Sequence, residues 1–224
     1  MRKAADVSSR GMKAGIKAVI EGASELEVAS AVHSELDMAG SEYTGLPAFI
    51  TSGERSHLVH ATWSPKQIDY GDLVFMEIPG SVNRYHAAQS RSVFVGEQTQ
   101  KLMEANRVAT EALETAKASM KQGVAASSVF KAGSSVINEA NIGYKQGRRI
   151  AYGIGTAFPP GWDEGDIFSI NIDESRPLLP GMCFHLITTM RVPGLGAIGC
   201  SDTVLVTDEG VETLTNQIKP GVQY

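Results

Sequence analysis

Gly71-Asp72-Leu73-Val74-Phe75-Met76-Glu77-Ile78, then Tyr85-His86, then Ser90-Arg91-Ser92-Val93-Phe94-Val95-Gly96 is the stretch whose reading decides the fold. Two short runs rich in β-branched and aromatic residues, each bounded by glycine, read as a pair of strands. Met182 to Thr188 and Thr203 to Val206 repeat that two-strand pattern later in the chain. Each pair of strands follows a pair of helices. Ala4, Val7, Gly11, Met12, Gly15, Ile16 and Val19 recur at helical spacing and stop at Gly22, and Ser24 caps a second helix that runs to about Met38. Ala105, Val108, Ala109, Ala112, Leu113, Ala116 and Met120 do the same, stop at Gly123, and resume from about Ser127 to Asn138. An internal repeat on the order of a hundred residues is too long for a solenoid unit. The order therefore predicts an α+β fold of two similar halves, roughly 1–97 and 98–224, related by a pseudo-two-fold axis. Their strands would join in one curved antiparallel sheet, with a site between the halves.

Composition fits a single domain over residues 1–224. With 42% hydrophobic and 20% charged residues among 224, the chain can bury a sizeable core. Its formal charge of −5 comes from 25 acidic and 20 basic residues, and no stretch gathers five or six charges of one sign. Nothing here is an electrostatic footprint for nucleic acid or for a membrane surface, so small molecules are the expected partners. Cys183 and Cys200, the two cysteines, lie in strand-like apolar stretches and point to a reducing compartment better than to a disulfide. Residues 1–22 are Lys-rich and amphipathic without a continuous apolar run, so neither a signal peptide nor a membrane span is expected, and a cytoplasmic location is.

The opening stretch, together with Tyr152-Gly153-Ile154-Gly155, Pro180-Gly181-Met182 and Asp202-Thr203-Val204-Leu205-Val206-Thr207, resembles the signature of the methionine aminopeptidase, prolidase and creatinase superfamily, whose fold is called pita-bread. The motifs span nearly the whole chain in the family order. Metallopeptidases of this superfamily hold two divalent ions with two aspartates, a histidine and two glutamates, because bridging carboxylates and a bound water make the nucleophile. The resemblance places Glu77, Ala88, Tyr152, Ile187 and Ser201 at those five positions. It therefore implies no metal site, no cofactor and no peptidase chemistry. The remaining pattern is closer to ectoine hydrolase: the Glu77 strand, Arg84-Tyr85-His86-Ala87, the Tyr152 motif, Phe158-Pro159-Pro160 with Trp162, Phe184-His185, and Ser201 before an acidic residue. Ala88-Gln89-Ser90 and Asp202 depart from that pattern. Creatinase-like enzymes also carry an N-terminal domain that caps the neighbouring subunit's site. Here Met1 nearly begins the first helix, so that domain is expected to be absent, in a truncated piece or in a protein that works without the cap. A homodimer is the expected assembly.

What the resemblance implies chemically is a metal-independent hydrolase of a small amidine or guanidine that bears a carboxylate. The alternative is a homologue of Xaa-Pro dipeptidases that acts as a binding module. Such a planar cation is already electrophilic at carbon. His60, at the family's active-site histidine, would deprotonate water, and Glu77 would grip two N–H groups or act as nucleophile. Tyr152, Tyr85, His185 and Arg149 are the candidate substrate-binding residues. For the substrate carboxylate, Arg149, Arg84 and Arg191 remain open. His57, His86 and His185 also have a plain reading as structural hydrogen-bonders.

Overall fold

The computed structural model describes residues 1–144 and 147–223. Helices α1 (Arg2–Ala18) and α2 (Glu25–Met38) lead into β1 (Phe49–Ser52), a 3₁₀ turn at Gly53–His57, β2 (Leu73–Val82) and β3 (Tyr85–Phe94). The second half repeats the order. Helices α3 (Gln100–Ser119) and α4 (Ala126–Ala140) precede β4 (Arg149–Gly153), β5 (Ser169–Asn171), β6 (Cys183–Ile187), β7 (Met190–Val192), β8 (Gly196–Ile198), β9 (Cys200–Val206), β10 (Val211–Thr213) and β11 (Gly221–Gln223). No helix among the described residues is long and apolar enough to cross a membrane.

Among the described residues nine strands form one sheet in the order β1-β2-β3-β9-β6-β4-β5, with β10 beside β9 and β11 beside β3. The order shows the repeat: β1-β2-β3 from the first half meets β9-β6-β4 from the second, edge to edge. One lateral row crosses the seam, in which Phe49 faces Glu77, Glu77 faces Ser90, Ser90 faces Ser201 and Ser201 faces Ile187. Side chains alternate along a strand, so this row and its i±2 neighbours share one face. On the opposite face Val74, Met76 and Ile78 pack with Val28, Val32 and Met12 from α1 and α2. Phe184, Leu186 and Val204 pack likewise with Val108, Leu113 and Val129 from α3 and α4. Helices thus cover one side of the sheet and leave the other for a site.

The expected elements are present, with two differences. Gly22 and Gly123 adopt positive φ of 84° and 81°, but the helices stop at Ala18 and Ser119. The glycines close the turns that follow, where a left-handed backbone favours them. The sheet is also not wholly antiparallel, because β11 returns to pair in parallel with β3. Ser24 does cap α2, through a capping box with Glu27. Cys183 and Cys200 are both free thiols.

Two buried ionic knots hold the halves together and fasten the loop that carries His60. Arg91, fully buried, donates to Asp202 Oδ1 at 2.8 Å, to the Ser201 carbonyl at 2.6 Å and to the Ile218 carbonyl at 2.7 Å, and Lys117 reaches Asp202 Oδ2 at 2.7 Å. Glu25, also fully buried, accepts from the backbone N–H groups of Ser52 and Ser64 at 2.7 and 2.8 Å, from both of their hydroxyls, and from Arg55. It ties together the two ends of the loop that carries His60. Glu25→Ala leaves those donors and the Arg55 charge without an acceptor, so we expect a loss of on the order of 3 kcal/mol of stability in urea unfolding. A loss below about 0.5 kcal/mol, the range of ordinary surface changes, would show the knot to be dispensable.

Candidate active site

Glu77 sits in the middle of β2, where alternation turns it to the helix-free face beside Phe75. It is 6% exposed, and burial pushes its carboxyl up to about 8. Among the described residues no basic side chain offsets that burial. His185 Nδ1 lies 3.9 Å from Glu77 Oε1, but this histidine is itself fully buried and pushed down to about 3 by burial, so it is neutral.

His60 follows the 3₁₀ turn on the loop fastened by Glu25 and packs its ring 5.2 Å from that of Phe49. Although it stands at the solvent-exposed rim, its imidazole is lowered, first by partial burial and then by Arg191 and Arg149. Arg191 also donates to the His57 carbonyl at 3.0 Å and so braces the same loop.

His60 and Glu77 face one space of two lobes. The larger, about 390 Å³, is walled by Leu46, Phe49, Arg149, Tyr152, Trp162 and Asp163 as well as these two. The smaller, about 280 Å³, shares His60, Glu77, Arg149 and Tyr152 and adds Val59, Tyr144, Ile187, Thr189 and Arg191. The size suits a small ligand. Arg149 bonds Asp163 at 2.8 Å and lies 4.5 Å over the Tyr152 ring.

Tyr152 heads a buried chain of hydrogen bonds. Trp162 Nε1 donates to its hydroxyl at 2.9 Å, the hydroxyl lies 2.7 Å from His185 Nδ1, and His185 Nε2 lies 2.7 Å from Ser201 Oγ. Ser201 Oγ in turn accepts from the Ser90 N–H at 2.7 Å. Burial raises the Tyr152 phenol well above its usual range, so it stays protonated.

Four of the expected residues therefore come together: His60, Glu77, Tyr152 and Arg149. Two do not. Tyr85 starts β3 opposite Val82, at the far end of the hairpin from Glu77, and is 45% exposed. The turn at Asn83 and Arg84, both with positive φ, carries it away from the cavity. His185 lies beneath Tyr152 with both ring nitrogens occupied by protein, and it has no place on the cavity wall. Arg84 is held between the rings of Tyr43 and Phe158 and bonded to Glu42, which leaves Arg149 and Arg191 as the arginines at the cavity. His86 is a brace: its Nε2 accepts from the Gly45 N–H and its Nδ1 lies 2.9 Å from the Arg84 carbonyl. Phe49 and Asp163 were missed by the sequence reading. Phe49 looks like any core aromatic, and Asp163 carried a signal only as the neighbour of Trp162.

The five positions at which the family resemblance implies metal ligands meet on this face. Ala88, Tyr152 and Ile187 belong to one apolar cluster with Phe49, Val59 and Trp162, and Ser201 is engaged by His185. One carboxylate, Glu77, remains. Among the described residues no three His, Cys, Asp or Glu side chains are placed to hold a metal ion. This donor set does not fit the two-ion centre.

Known proteins bear on the chain as follows. It is 29% identical over 96% of its length to the Xaa-Pro dipeptidase of Pyrococcus furiosus, covering 60% of that protein, and 28% identical over 79% of its length to the ectoine hydrolase of Halomonas elongata, covering 44% of it. The prolidase structure from Pyrococcus furiosus superposes with a TM-score of 0.88 over 97% of this chain and 63% of that one, at 28% identity. The chain thus spans about 60% of the length of its dipeptidase relatives. The model of a peptidase family matches residues 1–208, and with the superposed pita-bread fold it establishes that this chain belongs to Metallopeptidase family M24.

Proposed function

We propose that the chain is a metal-independent hydrolase of a small amidine or guanidine carboxylate, of the kind that ectoine represents. The observation that carries this reading is Glu77: a buried carboxyl with no cationic partner among the described residues, open to a cavity whose rim bears a neutral histidine. A planar amidinium supplies the missing charge. Its two N–H groups match the two carboxylate oxygens, and its binding draws the proton from Glu77. Arg149 or Arg191 receives the ligand's carboxylate at the opposite wall. In the reaction a water oxygen attacks the amidinium carbon while His60 Nε2 or Nδ1 takes the water proton. The imidazolium returns that proton to the leaving nitrogen as the C–N bond breaks, and the second water proton passes from the new oxygen to the released amine, giving an amide and an ammonium group. The carbon is electrophilic at the outset, so no Lewis acid is required of this donor set.

The test is hydrolysis of ectoine and of related cyclic and acyclic amidine carboxylates by the purified chain with a chelator present, followed by product analysis. We expect ring opening that EDTA leaves intact, and no cleavage of Xaa-Pro dipeptides. Dipeptide cleavage that depends on added manganese or cobalt would overturn the reading.

A further inference from the structure

The buried chain of hydrogen bonds beneath the cavity has a direction, and Ser201 sets it. Ser201 is fully buried, and its Oγ already accepts from the Ser90 N–H. The hydroxyl must give its own proton to an acceptor, and His185 Nε2, 2.7 Å away, is the acceptor in reach. The opposite arrangement, with Nε2 protonated, leaves the Ser201 proton without an acceptor in a dry interior, where an unmade hydrogen bond is costly. Nε2 is therefore bare, and the neutral ring carries its proton on Nδ1. Nδ1–H then donates to Tyr152 Oη, which also accepts from Trp162 Nε1–H. Both acceptor positions of the phenol oxygen are filled from below, and its own O–H is left for the cavity that Tyr152 lines with Glu77 and His60.

We propose that Tyr152 is a catalytic hydrogen-bond donor, its proton aimed by Ser201, His185 and Trp162 at the oxygen that hydrolysis adds to the substrate carbon. This rests on the hydrolase reading. Tyr152 keeps its proton throughout: water supplies the oxygen, His60 moves one water proton to the leaving nitrogen, the other leaves the new oxygen for the released amine, and the phenol bonds that oxygen as it is bared and the C–N bond breaks. That bond strengthens as the oxygen gains charge, so it acts on kcat more than on KM. A side chain that merely fills space has no such effect.

Two measurements test the assignment, the first without any substrate. In the full chain labelled with 15N- and 13C-histidine, the signal lost in His185→Gln should show the Nδ1–H tautomer at neutral pH, and an Nε2–H tautomer overturns the proposal. In the second, Tyr152→Phe, which keeps the ring in its apolar cluster, should lower kcat about 10²-fold and change KM by less than about threefold. Ser201→Ala, which removes the group that sets the direction, should shift the His185 tautomer and lower kcat in the same sense. Unchanged kcat in Tyr152→Phe overturns the proposal. If no amidine is turned over by the wild-type chain, the hydrolase reading fails on its own account, and the tautomer alone upholds or overturns the direction of the proton chain.

Discussion

Replacing Glu77 with glutamine is expected to stabilise the folded protein at pH 9 and to leave it nearly unchanged at pH 5. The carboxyl titrates at 4.5 in an ordinary setting and at about 8 in the fold, because burial disfavours its charge. Below 4.5 both the folded and unfolded chains hold the proton, and the full stability is present. Between 4.5 and 8 the unfolded chain gives the proton up while the folded chain keeps it, so stability falls as pH rises. Above 8 both are ionised and the loss is complete. At about 1.4 kcal/mol per pH unit the whole window amounts to at most about 5 kcal/mol. Glutamine keeps the size and has no proton to lose. His60 and His185, both lowered by burial, act in the opposite sense, their stability being lost as pH falls through the histidine range. They are present in both proteins and largely cancel from the difference. Urea midpoints of wild type and Glu77→Gln at pH 5, 7 and 9 provide the check. A gap that does not widen with pH would mean that the carboxylate is compensated in the fold.

The same substitution should have the largest effect on turnover. Glu77→Gln removes the charge that pairs with an amidinium and puts a donor where the ligand also donates, so we expect a loss of about 10³-fold or more in kcat/KM. His60→Ala should lower kcat by about 10²-fold or more with a smaller change in KM, since a general base acts on the barrier and not on the bound ground state. Glu77→Asp separates charge from position, because a carboxylate drawn back by about 1 Å can cost about 10²-fold with its charge intact. The acid limb of kcat should fall below the ordinary histidine range, as burial, Arg191 and Arg149 together lower His60. Full hydrolysis by the His60→Ala, Glu77→Gln double mutant would sink the mechanism.

Periodicity made the two halves legible, because a helix that buries one face and a strand that buries alternate residues leave different spacings in the sequence. The same periodicity put the helix ends at Gly22 and Gly123, whereas the chain leaves the helix earlier and uses those glycines in the turn. His60 and Glu77 were readable because each departs from its surroundings, one a histidine in a small polar loop, the other an acid in an apolar strand. Tyr85 and His185 carried the same motif signal but lie elsewhere, since adjacency in sequence does not say which way a hairpin turns or which ring lies under another. Glu25 gave no signal at all. One residue past an N-cap, it resembles the acids that favour any helix start, and its five partners come from a loop that begins 27 residues later.

The covering of β3 bears on how the chain is made. Its first edge pairs with β2 at once, but its second is covered by Ser201 and by β11, and Ser90 and Ser201 are 111 residues apart in sequence. On a ribosome, the first hairpin therefore emerges with an open strand edge and the Arg91 charge unneutralised, and waits for Asp202 and the Ile218 carbonyl to appear. Unpaired edges of this kind recruit other chains. Nascent molecules stalled before residue 200 should accordingly associate with one another or with chaperones, and those released after β11 should not.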